Sequence, residues 1–491
     1  MVFSSTEFLF IFLPLTLLGY YSLGRRFKNL FLLVVSLLFY AWGEPRFVFV
    51  MMGSILMNHF FALKIDAWLV QAEETEDQSV SQRQRIAAKG MLCLMVLFNL
   101  SLFFIYKYLN FTIRNINAVG TQFGLQPLRQ THISLPIGIS FFTFQAMSYV
   151  FDVYYRKGAV QKNPLDTALY VSLFPQLIAG PIVRYETIAK EIGCRKETLT
   201  DFAEGVKRFI CGLAKKVILS NSLALLADRA FDMADFAGLS VMMAWGGALA
   251  YSLQIYFDFS GYSDMAIGLG RMFGFHFEEN FNYPYISKSV SEFWRRWHIS
   301  LGSWFRDYVY FPLGGSRVKK SRMLLNLLVV WMLTGIWHGA AWSFFVWGFM
   351  YFILIAFEKL TGIPRRLQNR GLRWGYQAFT LLAVMFGWVI FRADGLKSGL
   401  QYIACMFALG GNRFMDVGTV FLLGQRLPVI VLAVLFSLPV VPALQKRFHA
   451  LPSGLCTVCD VLKLVVYVAL LVIAVSFTVF STYNPFIYFN F

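Results

Sequence analysis

Long apolar runs recur along this 491-residue chain, and they restrict its fold more than any other feature. The clearest extend from Phe8 to Tyr21, Leu30 to Trp42, Phe47 to Ala62, Met91 to Tyr106, Ile133 to Val150 and Leu239 to Phe257. Others extend from Met323 to Trp337, Trp342 to Phe357, Tyr376 to Phe391, Leu427 to Leu444 and Leu462 to Phe480. Each approaches or reaches the roughly 17–25 residues that carry a helix across a bilayer. In hydrocarbon a spanning segment must satisfy its own backbone hydrogen bonds, and a single segment does so only as a helix. The expected fold is therefore all-α, a polytopic membrane protein of roughly 9–12 transmembrane helices with some re-entrant or interfacial pieces. Charged residues make up only 14% of the chain and the mean hydropathy is +0.58, which excludes a soluble globular enzyme.

The first run follows MVFSSTE, which offers no basic leader, and no small-residue cleavage site follows it, so a retained span is expected. Arg25, Arg26 and Lys28 come directly after, which predicts an external N-terminus and a cytoplasmic first loop. The net charge of +17 does not point to nucleic acid. Its cations lie at the ends of apolar runs (Arg156/Lys157, Lys215/Lys216, Lys319/Lys320/Arg322, Arg365/Arg366), as cytoplasmic loops require, and no basic domain stands apart. Of six cysteines, Cys456 and Cys459 form a lone C-x-x-C with no second pair; His449 precedes it across Pro-Ser-Gly. Free thiols are expected there, and no metal.

No internal repeat is visible, so one integral-membrane domain over residues 1–491 is expected. The polar stretch Gln71–Lys89 reads as a loop or surface helix without a motif. Thr198–Lys216 reads as an amphipathic interfacial helix: Phe202, Val206, Phe209/Ile210 and Leu213 share one face, and Lys207, Arg208, Lys215 and Lys216 occupy others. Prolines 136, 175, 181, 284 and 312 punctuate the middle third. Broken backbone at membrane depth is tolerated where it lines a cavity, so a catalytic core is expected at about residues 130–350.

Two Trp-His steps stand out in a chain with six histidines: Trp297-His298 and Trp337-His338. Intramembrane histidines are costly and often mark proton or substrate handling, and imidazole suits a general base. Read as one helix, Phe293–Arg306 places Trp294, Trp297, His298, Leu301, Trp304 and Phe305 on an inward aromatic face. Arg295, Ile299, Gly302 and Arg306 then turn outward, with Arg296, Ser300 and Ser303 nearby. His298 is either an interface residue among tryptophans or a participant in chemistry. His338 follows Arg322 by 16 positions, roughly 24 Å of straight helix, which places it near or beyond the midplane. Thr334, Gly335, Gly339, Ala340 and Ala341 predict small, open packing around it. Asp258 and Asp264 are the only charged residues between Leu239 and Gly270. Asp258 either orients a histidine or caps a helix restarting near Gly261. His59, His132 and His276 are expected to be structural.

The segments QIYFDFSGYSDMAIGLGRMFGF, NFNYPYISKSVSEFWRRWHISLGSWFRDYVYFPLGG and GIWHGAAWSFFVWG resemble the membrane-bound O-acyltransferase family. The opening MVFSSTEFLFIFLPLTLLGYY, the block SLFPQLIAGPIVRY and the ending NPFIYFNF extend the likeness over nearly the whole chain. Within the family it is most similar to the membrane subunit of bacterial alginate and other polysaccharide O-acetylation systems. The resemblance implies a ring of helices around a funnel or tunnel, with His338 as the catalytic histidine and His298 as the second characteristic one. It implies an acetyl donor on the cytoplasmic side, acetyl-CoA or an acyl carrier thioester, with no permanently bound cofactor. It also implies a periplasmic or extracellular partner that completes transfer to the sugar, at the inner membrane. D-alanyl or other acyl transfer to a cell-wall polymer is the alternative within the family. A transporter of acyl groups or lipid-linked sugars, and a scaffold that recruits a soluble enzyme, are the alternatives outside it.

The residues themselves agree on chemistry. Acyl transfer from a thioester needs a base for the acceptor hydroxyl and donors for the oxyanion. His338 is the expected base, or the nucleophile of a relay, and His298 either positions the acyl donor or helps hold the developing charge, with Trp297 and Asp258 as candidates for donor binding. Arg295, Arg296, Lys319 and Lys320 are candidates for the donor's phosphates, or ordinary positive-inside residues.

Overall fold

The computed structural model describes residues 1–232, 238–448, 453–481, 483–485 and 487, with only the backbone described for 453–457. His449, the Cys456 side chain and most of the terminal NPFIYFNF block lie outside the described residues. Every regular element among the described residues is helical. The chain forms two compact units, residues 1–205 with 266–278, and residues 206–265 with 279–491.

The first unit contains α1 (Leu13–Ser22), α2 (Arg25–Gly43), α3 (Phe47–Glu74), α4 (Gln78–Phe103), α5 (Leu109–Gly120) and α6 (Ile139–Tyr154). Next come α7 (Pro164–Ser172), α8 (Phe174–Leu177), α9 (Tyr185–Cys194) and the first part of α10 (Leu199–Ala214). Local chemistry explains the helix starts. The Asp77 carboxylate accepts the Ser79 N–H at 2.8 Å to open α4, and Asn163 caps α7 ahead of Pro164. Inside the α3–α4 hairpin, the amides of Asn58 and Asn99 donate to one another at 3.1 and 2.8 Å, a buried polar tie between apolar helices. His59 Nδ1 lies 3.0 Å from the Thr167 hydroxyl of α7. His276, in the loop after residue 272, meets Glu191 Oε1 at 2.8 Å and Asp201 Oδ1 at 3.4 Å.

The second unit holds the end of α10, α11 (Asn221–Phe231), α12 (Val241–Met272) up to residue 265, α13 (Val290–Arg296), α14 (Ile299–Phe305) and α15 (Lys320–His338). It continues with α16 (Trp342–Thr361), α17 (Ile363–Arg366), α18 (Arg370–Arg392), α19 (Leu396–Met406), α20 (Val417–Ser437), α21 (Val440–Phe448) and α22 (Ser453–Phe480). Close helix approach is set by glycine. A Cβ at Gly335 of α15 would lie 2.4 Å from the Phe344 carbonyl, and one at Gly348 of α16 would lie 2.5 Å from the Trp331 carbonyl. Gly212 of α10 and Gly261 of α12 make the same kind of backbone contact.

Among the described residues eight helices are long and apolar enough to cross a membrane, and the chain is a multi-pass membrane protein. They are Arg25–Gly43, Phe47–Glu74, Gln78–Phe123, Leu199–Phe231, Trp342–Thr361, Arg370–Arg392, Val417–Ser437 and Val458–Phe480. A shorter apolar helix covers Phe8–Ser22, and three other expected runs fall short of the same length or hydropathy for physical reasons. The Ile133–Val150 run begins as irregular backbone through Pro136 and supplies only the 16 residues of α6. The apolar character of α12 is diluted by Gln254, Asp258 and Asp264, and that of α15 by Arg322, Asn326 and His338.

Two local expectations are corrected. Thr198–Lys216 is not an interfacial helix, because α10 continues through a π-helical turn (Lys215–Ser220) into α11 as a largely buried 33-residue candidate span. Lys216 is buried because Asp258, also buried, pairs with it at 2.5 Å. Lys215 and Arg208 both pair with Asp264 at 2.6 Å. No helix restarts at Gly261 either, since α12 runs unbroken from 241 to 272.

Candidate active site

The site is built around a break in the chain. Ser289 caps α13, its hydroxyl accepting the Glu292 N–H at 3.1 Å, and Glu292 reaches back to the Lys288 N–H at 3.0 Å. The buried Glu358 carboxylate of α16 accepts the N–H groups of Val290 (2.7 Å) and Ser291 (2.8 Å), which pins the start of α13. The helix then stops at Arg296. Trp297 is extended, and His298 adopts the left-handed conformation at φ 46°, ψ 55° before α14 begins. The expected single helix over Phe293–Arg306 is thus two short helices around a Trp-His corner. Burial follows the expected faces in part: Trp297, His298, Leu301, Trp304 and Phe305 are buried and Arg295, Gly302 and Arg306 are exposed, but Trp294 and Ile299 are half-buried and Ser300 and Ser303 are buried.

Asn280 holds the corner. Its main-chain carbonyl accepts the Ile299 N–H at 3.0 Å, and its side-chain Oδ1 accepts the Ser300 N–H at 3.1 Å and the Ser300 hydroxyl at 2.9 Å. His298 Nδ1 lies 3.2 Å from the same Oδ1. Phe259 of α12 stands edge-on to the His298 ring, centroids 4.6 Å apart. On another side the indole of Trp337 lies 5.9 Å from His298 and 4.9 Å from His338, so one indole flanks both imidazoles.

His338 is the last residue of α15, which rises unbroken from Lys320. The expectation of open packing around it is corrected. Rings of Trp347 (5.1 Å), Phe391 (5.0 Å) and Phe344 (6.5 Å) enclose the imidazole, which is 8% exposed. The neighbouring glycine makes this possible, because a Cβ at Gly339 would lie 2.1 Å from the Phe344 ring.

The other candidate residues divide. Trp297 is core, sandwiched by Phe293 (5.6 Å, stacked) and Trp388 (4.7 Å). Arg296 pairs with Glu292 at 2.9 Å and donates to the Asn282 carbonyl at 3.1 Å, while Arg295 is exposed. Lys319 and Lys320 are exposed at the start of α15. Asp258 is committed to Lys216 and to the Ile487 N–H at 3.0 Å. Sequence reasoning missed Asn280, Phe259 and Glu358. Asn280 lies 18 positions before His298 in NFNYPY, with no periodic relation to it. No group of three or more metal-ligating side chains forms among the described residues.

Two buried imidazoles sharing one indole in a multi-pass helical protein suit proton transfer on a substrate brought within the membrane. A family model for the membrane-bound O-acyltransferases matches residues 66–393, which contain both histidines, and the chain belongs to that family. It is therefore an O-acyltransferase. It is 43% identical to the probable alginate O-acetylase AlgI of Pseudomonas aeruginosa over 438 residues, covering 89% of this chain and 80% of that protein. It is 33% identical to the peptidoglycan O-acetyltransferase of Helicobacter pylori, covering 100% of this chain and 98% of that protein. The teichoic acid D-alanyltransferase of Bacillus subtilis is 31% identical over 281 residues, 52% of this chain and 68% of that one.

Proposed function

We propose that the protein is an inner-membrane O-acetyltransferase that takes an acetyl group from a cytoplasmic thioester, acetyl-CoA or an acyl carrier. It passes the group across the membrane for O-acetylation of an exported polysaccharide such as alginate, with an extracytoplasmic partner completing delivery. The observation that carries this reading is the placement of His298 and His338 on either side of Trp337.

His338 acts as the base. It removes the proton of an acceptor hydroxyl as that oxygen bonds to the thioester carbonyl carbon. Collapse of the resulting oxyanion expels the donor thiolate, which takes up a proton. His338 ends α15, so the imidazolium formed there sits at the negative end of the helix dipole, a gain of up to about 1 kcal/mol. His298 stands across the indole and positions the reacting groups. Arg295, Lys319 and Lys320 are exposed cations available to the donor's phosphates. The relatives' names favour acetate over D-alanine, because those two matches cover more of the chain.

The test is ester-linked acetate on exported polymer, measured for wild type and His338→Ala at matched membrane levels. Loss of acetate with polymer export intact is expected. Full acetylation in the variant removes the enzymatic role of His338, and loss of export itself points to a transporter.

A further inference from the structure

We propose that Asn280 is the positioning residue of this site: its side-chain carbonyl fixes His298 in the tautomer protonated on Nδ1, so that Nε2 is the lone-pair nitrogen offered to the reacting groups. The proposal rests on the acyl-transfer reading above and adds a role that neither histidine supplies alone.

The argument begins with one hydrogen bond. The Ser300 backbone N–H lies 3.1 Å from the terminal side-chain atom of Asn280. A backbone N–H cannot donate to an amide NH2, so that atom is the oxygen, and the Ser300 hydroxyl at 2.9 Å agrees. A ring nitrogen hydrogen-bonded at 3.2 Å to an oxygen that only accepts must itself donate, and the Ser300 hydroxyl, 3.4 Å from Nδ1, gives its one hydrogen to that same oxygen at 2.9 Å. His298 Nδ1 therefore carries hydrogen, and a neutral imidazole has only one N–H.

The backbone supports the same role. A left-handed non-glycine residue is strained and persists where its surroundings hold it. Here residues 280–282 bond both flanks of the corner: Asn280 O accepts the Ile299 N–H at 3.0 Å, and the Asn282 N–H donates to Arg296 O at 2.9 Å. The ring is fully buried, with Phe259 edge-on to it. The ionisable groups on the elements packed around it are engaged elsewhere. Asp258 holds Lys216, Asp264 holds Arg208 and Lys215, Glu279 also holds Arg208, Arg296 holds Glu292 and Asp307 holds Arg306, while Arg295 is exposed and His338 lies past Trp337. The orientation of His298 therefore comes from an uncharged amide. An aspartate at 280 would be a new charge against the ring.

Two measurements test this on the full-length protein in detergent or nanodiscs. The first is 15N NMR of histidine-labelled wild type, with the His298 signal assigned through His298→Gln. An Nδ1–H tautomer is expected, lost or mixed in Asn280→Ala; an Nε2–H tautomer in wild type overturns the proposal. This arm needs no turnover, so its failure is separate from failure of the acyl-transfer reading. The second is acetyl transfer from labelled acetyl-CoA as a function of pH. Asn280→Ala is expected to lower kcat roughly 10–100-fold at little-changed KM, as loss of an imidazole-orienting partner does elsewhere. Asn280→Asp is expected to move the acidic limb of the pH–rate profile upward by about one pH unit, because a carboxylate favours imidazolium. Unchanged kcat in folded Asn280→Ala, or an unmoved limb in Asn280→Asp, also overturns the proposal.

Discussion

At position 276 an imidazole stands between two carboxylates, outside any membrane-crossing helix. Partial burial pulls its pKa down, but the hydrogen bonds and charges of Glu191 and Asp201 outweigh this and hold it above the ordinary value. A histidine raised on folding stabilises the native state fully below its unfolded pKa of about 6.5, and that contribution is lost as pH rises through the folded value. His276→Asn is therefore expected to lower the detergent melting temperature relative to wild type at pH 6 or below, with the gap closing towards pH 9. A gap independent of pH would contradict it. His276 was expected to be structural from its place in a loop; its acid partners were not legible, because Glu191 and Asp201 lie 85 and 75 positions away. The same distance problem hid Asn280. His298 and His338 were legible because histidine beside tryptophan is rare in so apolar a chain, whereas an asparagine in a loop carries no such mark.

The elements that matter most are α15 and α16, which cross through Gly335 and Gly348 with almost no room between their backbones. Gly335 lies three residues before His338, so a side chain there displaces the imidazole as well as the helix. Gly335→Val is expected to cost about 1–3 kcal/mol through overpacking and to reduce acyl transfer beyond the loss of folded protein. Gly90→Ala in α4, where a Cβ meets nothing within 4 Å, is expected to be neutral or slightly stabilising. Thermal unfolding and transfer activity of both variants check the contrast. Helical periodicity predicted most of the buried side chains around His298, though not Ser300 and Ser303, and it missed the break between α13 and α14. Periodicity reports a face, and that face survives a corner of only two residues. What turns the corner is hydrogen bonding from residues 280–282, which no pattern within 293–306 encodes.

For the whole molecule, the apolar runs made the class legible and left the span count open, since polar residues within α12 and α15 blur what hydropathy counts. One such residue is Asp258, whose partner Lys216 was read as a surface cation until the structure buried both. Removing one member of a buried ion pair leaves an uncompensated charge at a cost of about 3–5 kcal/mol, whereas an apolar replacement of both is often neutral. Lys216→Ala should therefore sharply lower the melting temperature and the yield of folded protein in membranes, and Lys216→Met with Asp258→Leu should recover most of the loss. Equal damage from the single and double variants would contradict this. The pair also has main-chain company: the Pro485 carbonyl accepts from Lys216, and the Ile487 N–H donates to Asp258, across 269 and 229 positions. During synthesis both charges of the pair are made long before residues 485 and 487, so each is the other's countercharge before that backbone arrives. Assembly of the second unit is thus ordered in time. Its ion pair joins residues made early, and the main-chain groups that complete it are made 269 and 229 positions later.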